Sequence, residues 1–491
     1  MLRRVMRVFK NAFWLTTGRT LADVASFALF LAISRTLGPA GTGEYSYAFA
    51  VGNLVGIIGS SGFDEYGIRE YACASEAQRA GLWRDLTSAQ PPRLLLGAAF
   101  LILFLFSGLN RAARPSLIVE FSIYFLGWYL ARLLFVPAMA LQAMAAPALC
   151  DLACRVFAIA LAVSLVLVHW PLRAAIAGFP LAGIAIAVLA LASARRFIGR
   201  PDFGAPRRAS FAVLRRTVPF AASDLLYQFY SRADLLIIAF WLGAAATGIY
   251  AVAVKFVEVG LIPLVLLGTA AYPVIGRLAL RRSPHFERSA RDFTCTIFAL
   301  SGWVAVGIAC VLPPLIPLLF GARFRAAIPL LIWFGLLALT KGADAAFSRL
   351  LYSVREQTWY VRILALGTAL VVVLDCLLIP RIGLRGAAIA TVVSSLLGNF
   401  GCAYGLRRHL RLRVVWFAAA RLTLALALTA SALLAAYALG AGPWARALLA
   451  AVGFPLAAFL VGLIPKWRTS PLFGSVPDAL ESGAEAGQPG A

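Results

Sequence analysis

The sequence predicts an all-α polytopic membrane protein with about fourteen transmembrane helices, and three observations carry the prediction. The chain of 491 residues is 62% hydrophobic and only 13% charged, with a mean hydropathy of +0.85. Apolar runs of about 20 residues recur along it, a balance that soluble globular classes do not tolerate. The basic residues cluster in alternate connections between those runs. A short glycine-rich motif also occurs twice: LGPAGTGEYSYA at 37–48 returns as LGAAATGIYAVA at 242–253.

At an offset of 205 the two copies share Leu37/Leu242, Gly38/Gly243, Ala40/Ala245, Thr42/Thr247, Gly43/Gly248, Tyr45/Tyr250 and Ala48/Ala253. Each copy lies between two apolar runs. Glycine takes positive φ without steric cost, so each copy is expected to form a tight hairpin between two membrane helices. The repeat divides the chain into two pseudo-symmetric six-helix lobes, residues 1–200 and 201–410. An even helix number gives both lobes the same sense in the membrane, around a central cavity.

In order, the helices are expected at 12–34, 43–63, 93–109, 117–138, 148–168, 174–194, 217–240, 244–268, 293–316, 326–348, 358–379 and 386–406. Two more, at 416–439 and 443–465, make residues 411–468 an addition to the repeat. Residues 469–491, rich in Gly, Ala, Ser, Pro and Glu, read as a disordered cytoplasmic tail. The connections are too short for a folded extramembrane domain. With the N-terminus in the cytoplasm, 30 of the 45 Lys and Arg residues fall on the cytoplasmic side and nine on the other, with six in or at the ends of helices. That bias puts both termini inside and accounts for most of the basic excess, so nucleic acid is not expected as a partner. The seven cysteines lack metal-type spacing, and no cleaved leader is expected, because no small-residue cleavage site follows the first apolar run.

The resemblance rests on particular stretches. SRTLGPAGTGEYSYA (34–48) resembles the first hairpin of the polysaccharide flippases of the multidrug/oligosaccharidyl-lipid/polysaccharide exporter superfamily. GFDEYGIREYA (62–72) is similar to the end of their second helix, and SRADLLIIAFWLGAAATGIYAVAVK (231–255) to their seventh and eighth helices. IPLLFGARFRAAIPLLIWF (316–334) and LIPRIGLRGAAIATVVSSLL (378–397) resemble two later connections. The resemblance implies a fold like that of the multidrug and toxin extrusion (MATE) transporters, opening its cavity alternately to each side. It implies as cargo a polyprenyl-pyrophosphate-linked oligosaccharide, moved from the cytoplasmic to the outer leaflet of a bacterial inner membrane. A sugar and pyrophosphate need a polar, cationic route, because hydrocarbon offers neither hydrogen bonds nor counter-charge.

Ionisable residues within the helices are therefore the candidate sites. Arg19 and Asp23, at i,i+4, share a face of the first helix; Arg19 suits pyrophosphate recognition, the alternative being a self-neutralised packing pair. Asp224 is the repeat-mate of Arg19, and Asp234 matches the family motif, with Arg232 nearby at a position often basic in relatives. Lys255 with Glu258, and Lys341 with Asp344, are i,i+3 pairs read first as structural. The candidate substrate contacts are thus Arg19, Arg232, Lys255 and Lys341; the acids Asp23, Asp224, Asp234, Glu258 and Asp344 are candidates for ion coupling or charge pairing. Asp64 and Arg69 form a candidate gate at the end of the second helix, or a solvated helix end. Tyr45, Tyr47, Tyr227, Tyr230, Trp128 and Tyr129 suit stacking on sugars, or else an interfacial belt or packing. Asp151 and Arg155 suit a membrane interface, and the lone acid Asp375 suits the outer surface or a proton site.

The expected function is a lipid-linked oligosaccharide flippase for cell-surface polysaccharide or lipopolysaccharide. Its partners would be membrane lipids and other polysaccharide-assembly membrane proteins. A cation-coupled multidrug exporter of the same fold is the alternative. No catalytic residue, cofactor or metal is expected: the chain has no phosphate-binding loop and no outer domain for a transferase or polymerase. A non-transporting scaffold predicts that neutralising Arg19 and Arg232 leaves export intact.

Overall fold

The computed structural model describes residues 2–464 apart from 142, 198–203, 205, 282 and 412; side chains are described from residue 20, except at those positions and at 196, 197, 207 and 273. The described residues hold helices and turns and no strand. The first helices are α1 (Leu2–Ser60), α2 (Phe63–Cys73), α3 (Glu76–Phe106), α4 (Pro115–Leu134), α5 (Val136–Ala140), α6 (Ala145–Leu167), α7 (Leu172–Ile176), α8 (Gly178–Phe197) and α9 (Arg207–Leu280). They are followed by α10 (Phe286–Val306), α11 (Leu312–Phe320), α12 (Leu331–Ser353), α13 (Gln357–Ile382), α14 (Leu384–Leu406), α15 (Arg413–Ala438) and α16 (Pro443–Leu460).

Twelve helical stretches among the described residues are long and apolar enough to cross a membrane. Two of them, Thr20–Cys73 and Arg208–Tyr272, run to 54 and 65 residues, far beyond the roughly 20 that one crossing needs. Non-helical backbone interrupts α1 at Gly38, φ +68°, and α9 at Gly243, φ +80°. These are the two repeat glycines. The arms fold back there. The hydroxyl of Thr42 lies 3.1 Å from that of Ser34, although eight residues of straight helix would separate them by about 12 Å. Tyr250 reaches Asp234 at 2.5 Å across a stretch that would span about 24 Å if straight. Counting each hairpin as two crossings gives about fourteen, as the sequence predicts.

The two turns also touch. A Cβ on Gly43 would sit 1.7 Å from the carbonyl oxygen of Ala244, and one on Gly248 would sit 1.9 Å from that of Pro39. Only hydrogen fits at either crossing. Lipid chains are as apolar as leucine, so close backbone approach of this kind is a main source of adhesion between membrane helices.

Two compact units emerge from the packing: the described residues to Ala251 with Leu319–Phe324, and Val252–Leu318 with the described residues from Arg325 on. In the first, α3 begins at Glu76 rather than near Arg93. The segment's charges and the Pro91-Pro92 pair read as a connection, yet Trp83, Leu86 and Ala89 are buried, Leu86 and Ala89 in a cluster with Phe63, Tyr66, Tyr71 and Val136. Beyond the prolines, Leu103 and Phe106 are 70% and 87% exposed, as suits a face towards lipid tails. In the second unit the two added helices are integrated: Phe454 of α16 joins a core with Phe293, Phe298 and Phe347. The indole of Trp303 donates to the Ala451 carbonyl at 3.1 Å.

Candidate functional site

A polar network runs through the first unit, and its residues come from five helices. α2 opens with Asp64 and Glu65 in its first turn, and α4 closes with Arg132 in its last. Each charge complements its own helix dipole, and the Arg132 guanidinium meets the Asp64 carboxylate at 2.5 Å. Asp64 is buried, with its side chain 5% exposed. Just before it, the Ser61 hydroxyl donates to the Asp224 carboxylate on the first arm of α9. Glu65, Asp64 and Asp224 are close enough for their charges to act on one another, with Arg132 among them.

The network continues along α4 into α6. The Arg132 guanidinium lies 5.2 Å from the Trp128 ring centre and that of Arg155 lies 5.0 Å from it, so one indole serves two cations. Its ring N–H donates to Asp151 at 2.7 Å, and Asp151 pairs with Arg155 at 3.0 Å. Asp23 of α1 is within electrostatic reach of Arg155. The Tyr129 hydroxyl donates to Asn53 at 3.3 Å. Beside this group, Arg93 of α3 is buried and donates to the carbonyls of Ile57, Ile58 and Ser61 at 3.0–3.4 Å. The Ile58 and Ser61 carbonyls lie at the end of α1, where helical partners run out, while that of Ile57 also accepts the Ser61 N–H at 3.0 Å; a membrane segment must satisfy such groups internally.

The remaining sequence candidates are scattered. The side chain of Arg19 lies outside the described residues. Asp64 and Arg69 do not pair: Arg69 is exposed, bonds Glu70 at 2.8 Å and lies over Phe220. Asp234 is buried and held by Tyr250, while Arg232 is half-buried two residues away on the same helix arm. In the second unit Lys255 pairs with Glu258 at 3.2 Å. Asp344 lies near Lys341 and accepts from the Tyr360 hydroxyl at 3.3 Å. Asp375 is fully buried.

Residues 8–279 match the family described as polysaccharide biosynthesis protein, more than half of the chain. The chain belongs to that family. No curated protein matches it. Among solved structures, this polysaccharide biosynthesis protein is similar to the lipid II flippase MurJ in an inward closed conformation, with a TM-score of 0.71 at 13% identity over 92% of this chain and 99% of that one. It is also similar to an inward-facing multidrug resistance MATE transporter of the MOP superfamily, with a TM-score of 0.60 at 17% identity over 80% and 94% of the two chains. A third likeness is to a MOP superfamily transporter from Pyrococcus furiosus, with a TM-score of 0.51 at 16% identity over 82% and 95%. At these identities the likeness shows the fold: the family member is an all-helical, multi-pass membrane protein of the MurJ and MATE architecture.

Sequence reasoning missed Arg132 and Arg93 as participants. The signal for Arg132 was an arginine closing an apolar helix one turn after Trp128-Tyr129. For Arg93 there was none, because its partners are backbone atoms more than 30 residues away.

Proposed function

We propose that this polysaccharide biosynthesis protein is a flippase. It carries a polyprenyl-pyrophosphate-linked oligosaccharide from the cytoplasmic to the outer leaflet of a bacterial inner membrane, both termini in the cytoplasm. The observation that carries the reading is membership of a polysaccharide biosynthesis family in a chain folded like MurJ and the MATE transporters. Lobes 1–200 and 201–410 alternate access around a cavity, with 411–468 as an added helix pair and 469–491 as a cytoplasmic tail. Arg19, Arg232, Lys255 and Lys341 contact the anionic head in this reading, and the acids Asp23, Asp224, Asp234, Glu258 and Asp344 pair with them or couple an ion. Asp64, held by Arg132, belongs to the gate. The chain performs transport rather than catalysis, and other polysaccharide-assembly membrane proteins supply and receive its cargo.

A second reading, a cation-coupled multidrug exporter, is favoured by one observation: three carboxylates, Asp64, Glu65 and Asp224, surround one guanidinium, Arg132. An acidic lining suits cationic drugs. The deciding experiment measures surface polysaccharide in a deletion strain complemented with wild type, Arg19→Ala or Arg232→Ala, with membrane levels checked. The flippase reading expects normally inserted variants to leave surface glycan low while lipid-linked precursor accumulates inside. Unchanged glycan on deletion, together with new sensitivity to cationic dyes, transfers the assignment to drug export.

A further inference from the structure

Three connections of the second unit converge on one open cleft of about 690 Å³. They are the α9–α10 connection, the end of α12, and the segment between α14 and α15. The cleft lies at the ends of helices long and apolar enough to cross a membrane, among their connecting segments, and its volume suits a small ligand.

Its charged wall is made by Arg355, Arg408, His409, Arg411 and Glu287. The two nearby acids are already engaged. Glu287 accepts from the Arg411 backbone N–H at 3.4 Å and faces its guanidinium at 4.0 Å; Glu356 lies 3.1 Å from His409. Arg355 and Arg408 have no carboxylate partner among the described residues.

Arg355 also occupies an unusual backbone position. It follows the last turn of α12 at φ +65°, with its N–H bonded to the Tyr352 carbonyl and that of Glu356 to the Leu351 carbonyl. This left-handed helix-ending position ordinarily takes glycine. Among the described residues only His169 shares positive φ without being glycine. The chain thus keeps a long cationic side chain where glycine is easiest, in the wall of a cleft where arginines outnumber acids three to one. Guanidinium forks match phosphate oxygens bidentately, and basic pockets between membrane helices are a recurrent form of lipid-phosphate recognition.

We infer that this cleft binds a phosphate group, carried by an anionic lipid headgroup or free as inorganic phosphate, through Arg355 and Arg408. The site is independent of the cargo assignment.

The test uses the purified full-length protein in mild detergent, with thermal unfolding as the readout. It is titrated separately with inorganic phosphate, short-chain phosphatidylglycerol and short-chain phosphatidylcholine. Wild type is compared with Arg355→Gly, Arg408→Gln and Arg381→Gln, the last removing an equal charge elsewhere. Arg355→Gly relieves the left-handed backbone, so without ligand it melts at or above wild type, and a lost response is not lost folding. Phosphatidylglycerol is expected to stabilise wild type and Arg381→Gln. In Arg355→Gly and Arg408→Gln half-saturation should rise about tenfold, as for one lost charge-assisted hydrogen bond. Response to phosphatidylglycerol alone identifies a lipid headgroup; an equal response to inorganic phosphate identifies the free anion. Equal responses to phosphatidylglycerol and phosphatidylcholine, no response in wild type, or unchanged titration of both cleft variants overturns the inference.

Discussion

Arg132 joins α2 to α4 through one guanidinium, with Asp64 in front of it and Trp128 behind. Removing it leaves a buried carboxylate unpaired, so Arg132→Gln should cost roughly 3 kcal/mol of stability, while the same change combined with Asp64→Asn should recover most of that loss relative to the sum of the two single variants. Thermal unfolding of the purified variants checks the cycle; an additive double variant would show that the pair contributes nothing specific. Arg93 works differently, as a cap. Arg93→Leu strands the carbonyls of Ile58 and Ser61, while that of Ile57 keeps the Ser61 N–H, a loss of about 2 kcal/mol or more. Lysine, lacking the planar fork, should restore only part of it. At this scale the sequence was least legible. It marks arginines within apolar runs as meaningful, but it cannot tell a ligand-binding guanidinium from one spent on a helix end, because the partners are set by packing.

Among the elements, the two hairpins were the most legible, since Gly38 and Gly243 recur at one offset and both take the left-handed backbone expected of them. The start of α3 was not legible: hydropathy registers its charged residues, but not that Trp83 and Leu86 share a buried face. The hairpin glycines separate two kinds of constraint. Gly243 has nothing within 4 Å of an added Cβ, so Gly243→Ala meets only backbone strain, roughly 1–3 kcal/mol. Gly43→Ala or Gly248→Ala meets a carbonyl oxygen below 2 Å and must push the two turns apart. The expected outcome is full insertion with loss of function for the last two and near-normal function for Gly243→Ala, read by complementation beside membrane levels.

For the whole molecule, composition was enough to give the membrane class, because it depends on the sum of many residues, whereas the MATE-like architecture was legible only through the stretches that resemble the polysaccharide flippases. Sidedness is a further prediction of the charge count. A C-terminal fluorescent-protein fusion should fluoresce, and an export-dependent phosphatase inserted after Asn110 should be active; the reverse pattern inverts the topology. The α9–α10, α12–α13 and α14–α15 connections, which the count assigns to one side, do meet around one cleft.

Exchange each residue for its counterpart 205 positions away, and the contact of Gly43 with the Ala244 oxygen becomes the contact of Gly248 with the Pro39 oxygen. A contact that maps onto itself in this way is the mark of a two-fold, self-complementary interface. The two glycines therefore guard a single crossing from opposite sides, and a side chain at either one blocks the approach that the other permits.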